Sequence, residues 1–234
     1  MRKIKYLIIC FFISANCWSQ KQIPGDDQNK TILLYNAKII TGVGNVIEDG
    51  FFGFSNGKID HLSISKPEKK YDLEIDLKGQ HIYPGFIALN STLGLVEISA
   101  VRASDDQREI GTFNPNIRSI IAYNAESRIV ETMRLNGVLI GQITPRGGVI
   151  SGSSSVVQFD AWNWEDATIK YDEGMHVNWP NPYNRPSRWS SGSRTVTSSK
   201  NYLDEVNNLK NIFNKALSYN SDFSKKLDLK LESM

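Results

Sequence analysis

The chain has 234 residues, 27 basic against 25 acidic side chains, 40% hydrophobic residues and two cysteines. That length bounds it to one or two domains, and so even a charge balance excludes the basic field that nucleic acid or an anionic membrane would call for. Both cysteines, Cys10 and Cys17, lie near the start, so the rest of the chain holds no disulfide, thiolate nucleophile or thiolate metal ligand.

The first residues read as a secretory signal peptide over 1–19. Arg2, Lys3 and Lys5 make the charged start, and Tyr6 to Ile13 is an apolar core too short to span a bilayer. Cys17-Trp18-Ser19 sets cleavage near Gln20. The protein is therefore expected outside the cytoplasm, periplasmic or extracellular, without a stable membrane span. Acylation at Cys17 is the weaker alternative, because Asn16 before it fits a lipoprotein signal poorly. Loss of three basic residues with this segment would leave 24 basic against 25 acidic, a net charge near −1.

Residues 20–80 read as a small antiparallel β unit. Lys21 to Asn29 is a polar arm. Thr31 to Thr41 is rich in Ile, Leu and Tyr and reads as a strand pair or one bent strand around Asn36-Ala37. Gly42, Gly44 and Asn45 form a turn. Asn56-Gly57 between two apolar runs is a hairpin signal. Leu73 to Leu77 alternates apolar and polar as a half-buried strand does.

Tyr83 to Leu89 is an apolar run of strand length, the pattern of a strand buried on both faces of a parallel sheet. Small and polar residues, Asn90-Ser91-Thr92, follow at its carboxyl end, where α/β folds place their chemistry. Asp76 to Ile87 resembles the approach to the first barrel strand of amidohydrolase-superfamily enzymes, and most of all their imidazolonepropionase-related branch. The resemblance covers about Thr31 to Met234 and is most specific from Asp76 to Ser155. It implies a partial TIM-like (β/α) barrel over 81–234, preceded by the β unit as half of a sandwich. It also implies hydrolysis of C–N bonds in cyclic amides, with zinc or another divalent metal.

Members of that family continue their first strand as Asp, any residue, His, any residue, His, the two histidines gripping the metal. Here the matching positions are Ala88, Asn90 and Thr92. An amide oxygen and a hydroxyl are weak zinc ligands, so no metal or other cofactor is expected, and Asn90 and Thr92 mark the positions of the missing ligands. A full barrel takes about 250 residues, and only about 150 follow His81. The expectation is a truncated or split portion, its partner a C-terminal half or a related amidohydrolase chain.

Beyond Thr92, the charged run Glu97, Arg102, Asp105, Asp106, Arg108, Glu109 reads as a solvated loop and helix face, or alternatively as the lining of a site. Ser127 to Asn136 reads as a helix capped by Ser127 or Asn124 and stopped at Gly137. Val138 to Thr144 is the next buried strand, completing one right-handed βαβ unit. Arg146, Gly147, Gly148, Gly152 and Ser153 fall in a glycine- and serine-rich loop just after it. Such a loop is a structural turn, or a cradle whose backbone N–H groups hold an anion. The resemblance implies a further short strand after this loop, matching Val156 to Phe159.

Residues 160–199 read as an irregular, tryptophan-rich insertion, its rings anchoring the loop or stacking on sugars or peptides. Its composition after Asn184 is that of a disordered segment. Asn201 to Tyr219 is the clearest amphipathic helix. His61, His81 and His176 have no partner at ligand spacing, and no Gly-x-Ser-x-Gly elbow is present. A non-catalytic binding or scaffold protein, or one half of a split enzyme, are the rival readings.

Overall fold

The computed structural model describes residues 23–184, 195–221 and 226–234. The expected signal peptide, with Cys10 and Cys17, and most of the stretch expected to be disordered lie outside those residues.

The first sheet is built from β1 (Ile32–Ile40), β2 (Val46–Ser55), β3 (Lys58–Ser63), β4 (Leu73–Asp76) and β5 (His81–Ile82). β1 is the single bent strand of the two readings. Its pairing with β2 shifts register on either side of Ala37, and Asn36 is left-handed at φ 55°. Asn56 (φ 50°) and Gly57 (φ 70°) turn the β2–β3 hairpin with two positive φ values, as a two-residue turn matching the strand twist requires. The expectation of an antiparallel unit needs correction. β3, β2 and β1 form an antiparallel meander, but β4 and β5 both join the other edge of β1 in parallel. Leu33, Ala37, Ile39 and Tyr71 bury its inner face.

The second sheet runs β6 (Phe86–Ser91), β7 (Val138–Ile143), β8 (Ile150–Gln158), β9 (Thr168–Val177). β6 and β7 are parallel and joined through α1 (Arg128–Leu135), the expected βαβ unit. Ser127 caps α1, its Oγ accepting from Ile129 N at 3.2 Å. The partial-barrel expectation holds in its coarse form, a mixed α/β fold. In its finer form it meets a difference: β8 and β9 run antiparallel, and the described strands form an open sheet rather than a closed barrel.

Burial of β6 on both faces is also corrected. Phe86, Ile87 and Leu89 are 68%, 58% and 73% exposed, because β6 is the sheet's edge. The core lies further in, where Val130, Ile143, Val157 and Phe159 meet Ile120 and Leu95. Each fully buried side chain of this size contributes about 1.5–3 kcal/mol. The short strand expected at Val156 to Phe159 is the end of the nine-residue β8. The insertion at 160–199 is more regular than expected, since it contains α2 (Trp164–Ala167) and all ten residues of β9. Its hydrophobic periodicity is hidden because β9 is largely exposed. The charged run 97–109 carries one 3-10 turn, Arg102–Ser104, in place of a helix.

The pair β10 (Tyr183–Asn184) and β11 (Thr197–Ser198) leads to α3 (Tyr202–Ser221) and α4 (Leu229–Glu232). α3 buries Val206, Leu209 and Ala216. Lys230 on α4 reaches back to the carbonyl of Phe113 at 2.7 Å. No helix among the described residues is long and apolar enough to cross a membrane.

Candidate functional site

The parallel strands β6 and β7 end side by side, and their carboxyl ends bring together two segments the sequence singled out separately. β7 delivers Thr144 and Pro145, both buried, and then Arg146. Arg146 N donates to the carbonyl of Gln107 at 2.6 Å, which fixes the start of the loop against the charged run. Gly147 (φ 85°) and Gly148 (φ 62°) are both left-handed, and a Cβ on Gly148 would stand 2.7 Å from the Thr112 carbonyl oxygen. Glycine is therefore required there for space as well as conformation. Asn178 Nδ2 holds the loop from β9's end, donating to the Gly148 carbonyl at 2.9 Å and to Ser151 Oγ at 3.0 Å.

Arg146 forks onto Asn90. Its Nη1 donates to Asn90 Oδ1 at 2.8 Å and its Nη2 to the Asn90 carbonyl at 2.6 Å. Asn90 can present both oxygens because its backbone is left-handed (φ 51°), a conformation that Asn tolerates better than most residues. The same kink shifts the β6–β7 register between Ala88 and Ser91. The regular alternation that would set Asn90 and Thr92 on one face of a strand is therefore interrupted, and Thr92 lies past the strand's last residue, Ser91.

A chain of hydrogen bonds crosses all four strands from there. Asn90 N donates to Gln142 Oε1 at 3.2 Å, and Gln142 Nε2 donates to Ser154 Oγ at 3.2 Å. Ser154 Oγ lies 2.8 Å from His176 Nε2 and 3.3 Å from the Gly174 carbonyl. Ser154 is fully buried, so its oxygen needs these partners. Burial holds the His176 pKa below its usual value, and the charge of Arg146 lowers it further. His176 is thus neutral at neutral pH beside a fixed cation.

Gly152 and Ser153 play a different part from Arg146, Gly147 and Gly148. Gly152 (φ 126°) leaves room for the Ile117 backbone, and Ser153 N donates to the Ile117 carbonyl at 2.7 Å. Ser153 Oγ donates to Asp172, which also receives Arg118 Nε at 2.8 Å. Arg102, Asp106, Arg108 and Glu109 are exposed, as a solvated face should be, yet with Arg118 and Pro145 they line a cleft of ≈ 380 Å³. Sequence reasoning missed Gln142, Ser154 and the link to His176, since no spacing rule connects residues on three different strands.

A divalent metal does not fit at Asn90. Both its oxygens are engaged by a guanidinium, and that cation would repel a second one. Thr92 adds only a hydroxyl. Among the described residues no three His, Cys, Asp or Glu side chains are grouped to hold a metal ion.

The sequence matches no protein-family model and no curated relative. A solved structure, an amidohydrolase from Thermotoga maritima MSB8, aligns with a TM-score of 0.68 over 86% of this chain and 54% of that chain, at 19% identity. The fold is amidohydrolase-like. This chain spans about half the length of the amidohydrolase it matches, and the likeness at this identity is one of fold. Within the amidohydrolase-like fold, the Arg146–Asn90 fork sits at the end of the strand that the sequence resemblance marks for metal ligands.

Proposed function

We propose that this chain is an exported amidohydrolase-like protein of the imidazolonepropionase-related kind, whose described residues bind and position rather than cleave. In this reading, C–N bond hydrolysis of cyclic amides belongs to an assembly with further metal-bearing strands, from a C-terminal half or a related amidohydrolase chain. The observation that carries it is Arg146 engaging both oxygens of Asn90. The organisation proposed is a signal peptide over 1–19, a sandwich half over 20–80 and a partial barrel over 81–234, with an insertion at 160–199.

The test is an assay of the purified chain on hydantoin and dihydrouracil, with and without added zinc. No turnover and no stoichiometric zinc are expected. Turnover that follows zinc occupancy and disappears on Asn90→Ala would overturn the reading. Mass spectrometry of the secreted product checks the export part. A start near Gln20 supports it, a retained Met1 on a cytoplasmic protein contradicts it, and a lipid on Cys17 moves the protein to a membrane surface.

A second reading is a non-catalytic binding or scaffold protein using the tryptophan-rich stretch. Trp162 and Trp179, 50% and 61% exposed, favour it. Retention on a glycan or peptide array that is lost on Trp179→Ala would support it over the first.

A further inference from the structure

We propose that Arg146, with the backbone N–H groups of Gly147 and Gly148, forms a binding site for a small molecule bearing a carboxylate. The inference goes beyond the hydrolytic reading and does not depend on it.

Arg146 has five N–H donors, and Asn90 takes one from each terminal nitrogen. Nε and the remaining hydrogens have no partner among the described residues. The guanidinium is therefore anchored at one edge and unsatisfied elsewhere. An Arg held this way has already lost the rotamer freedom that binding would otherwise cost. Among the described residues no carboxylate pairs with it. Asp106 and Glu109 are close in the chain to Gln107, which holds the Arg146 backbone, yet neither makes an ion pair with Arg146 or Arg108.

The next two residues point to the same class of ligand. The N–H groups of Gly147 and Gly148 meet no hydrogen-bond partner among the described residues. Consecutive amides in a left-handed loop are donors for an anion. The Arg108 Cβ lies 3.4 Å from where a Gly147 Cβ would be, so a second guanidinium side chain, without a partner among the described residues, starts beside the loop. His176 adds no charge of its own while neutral. The planar pair of donors on the free side of a guanidinium matches the two oxygens of a carboxylate. With Asn90 holding one edge, the free donors form a flat pair, which a carboxylate's two oxygens fill and a phosphate's further oxygens would exceed.

The probes are acetate, succinate and inorganic phosphate, titrated into the full chain at constant ionic strength with chloride as the control. Binding is followed by calorimetry and by protection of Arg146 from phenylglyoxal, read by peptide mass spectrometry. Acetate and succinate are expected to bind and to slow modification of Arg146 in the unaltered protein. Arg146→Gln should weaken succinate about 10-fold or more, the scale of a lost charged hydrogen bond. Asn90→Ala, which removes the Nη1 contact to Oδ1 but keeps the backbone carbonyl and the arginine's charge, should weaken it less. Failure of both carboxylates to bind above chloride, or full affinity in a folded Arg146→Gln variant, would overturn the proposal. Phosphate binding more tightly than either carboxylate would overturn the ligand class. The hydrolytic reading fails on a different result, zinc-dependent turnover of a cyclic amide.

Discussion

The Ser127 hydroxyl donates to Glu97 Oε2 at 3.0 Å while its oxygen accepts from Ile129 N at 3.2 Å, so one buried serine both caps α1 and ties it to the segment after β6. Asn124 Nδ2 adds a bond to the other oxygen of Glu97 at 3.2 Å. A carboxylate there also opposes the positive end of the helix dipole. Ser127→Ala should cost about 1–2 kcal/mol, the cap together with part of the Glu97 anchorage. Urea unfolding followed by circular dichroism measures it. An unchanged midpoint would mean that the cap and the Glu97 contact contribute nothing to stability.

Phe159 packs directly over Gly141, where a Cβ would meet the ring at 2.5 Å. Phe159→Ala should destabilise by about 3–5 kcal/mol as a core cavity opens. Gly141→Ala should also destabilise, by about 1–3 kcal/mol through overpacking. Together they should cost less than their sum, because the added methyl occupies space the ring has left. A double-mutant cycle in urea reads the coupling, and strict additivity would argue against this contact.

Two windows of acid sensitivity follow from the charged groups. Asp60 is held down to about 2, by Lys69 first and by the Tyr71 hydroxyl, which donates to it at 2.6 Å. Its stabilising contribution is present above the unfolded value of 3.8 and fades as pH falls towards 2. Burial, then Asp60, pushes Tyr71 up to about 12, so its contribution fades as pH rises from 10 towards 12. His176 is depressed, so the unfolded chain takes up its proton first and stability declines as pH drops below 6.5. Melting temperature against pH should fall in both acid windows. Tyr71→Phe should narrow the lowest one, since Lys69 still holds Asp60 down, and His176→Gln should flatten the one below 6.5.

Replacing Asn90 and Thr92 together by histidine should not create a zinc site. Arg146 would still bring its charge to the end of β6, where it would repel a second cation. Elemental analysis after dialysis should find less than one zinc per chain. Stoichiometric zinc in that variant would show that Arg146 moves aside.

The sequence marked the elements whose signals are local. The Asn56-Gly57 hairpin, the Ser127-capped helix and the strand ending at Ile143 follow from adjacent residues. The direction of β8 and β9 was not legible, because one strand's pattern does not say which way its neighbour runs. Burial of β6 was misread for a related reason. An apolar run reports what a strand could bury, and the covering layer is not in the run itself. Within the candidate site, Arg146, Gly147 and Gly148 stood out by composition. The path from Asn90 through Gln142 and Ser154 to His176 depends on lateral strand neighbours and has no trace in spacing.

Edge position gives β6 a property that its apolar sequence conceals. Its amides take part in a ladder on one side only, towards β7, and that ladder is interrupted at the left-handed Asn90. With Phe86, Ile87 and Leu89 open to solvent, little packing opposes local opening. In a hydrogen-exchange experiment β6 should therefore take up deuterium well before β7 and β8, whose amides are enclosed between neighbours. That strand would come loose ahead of its inner neighbours β7 and β8.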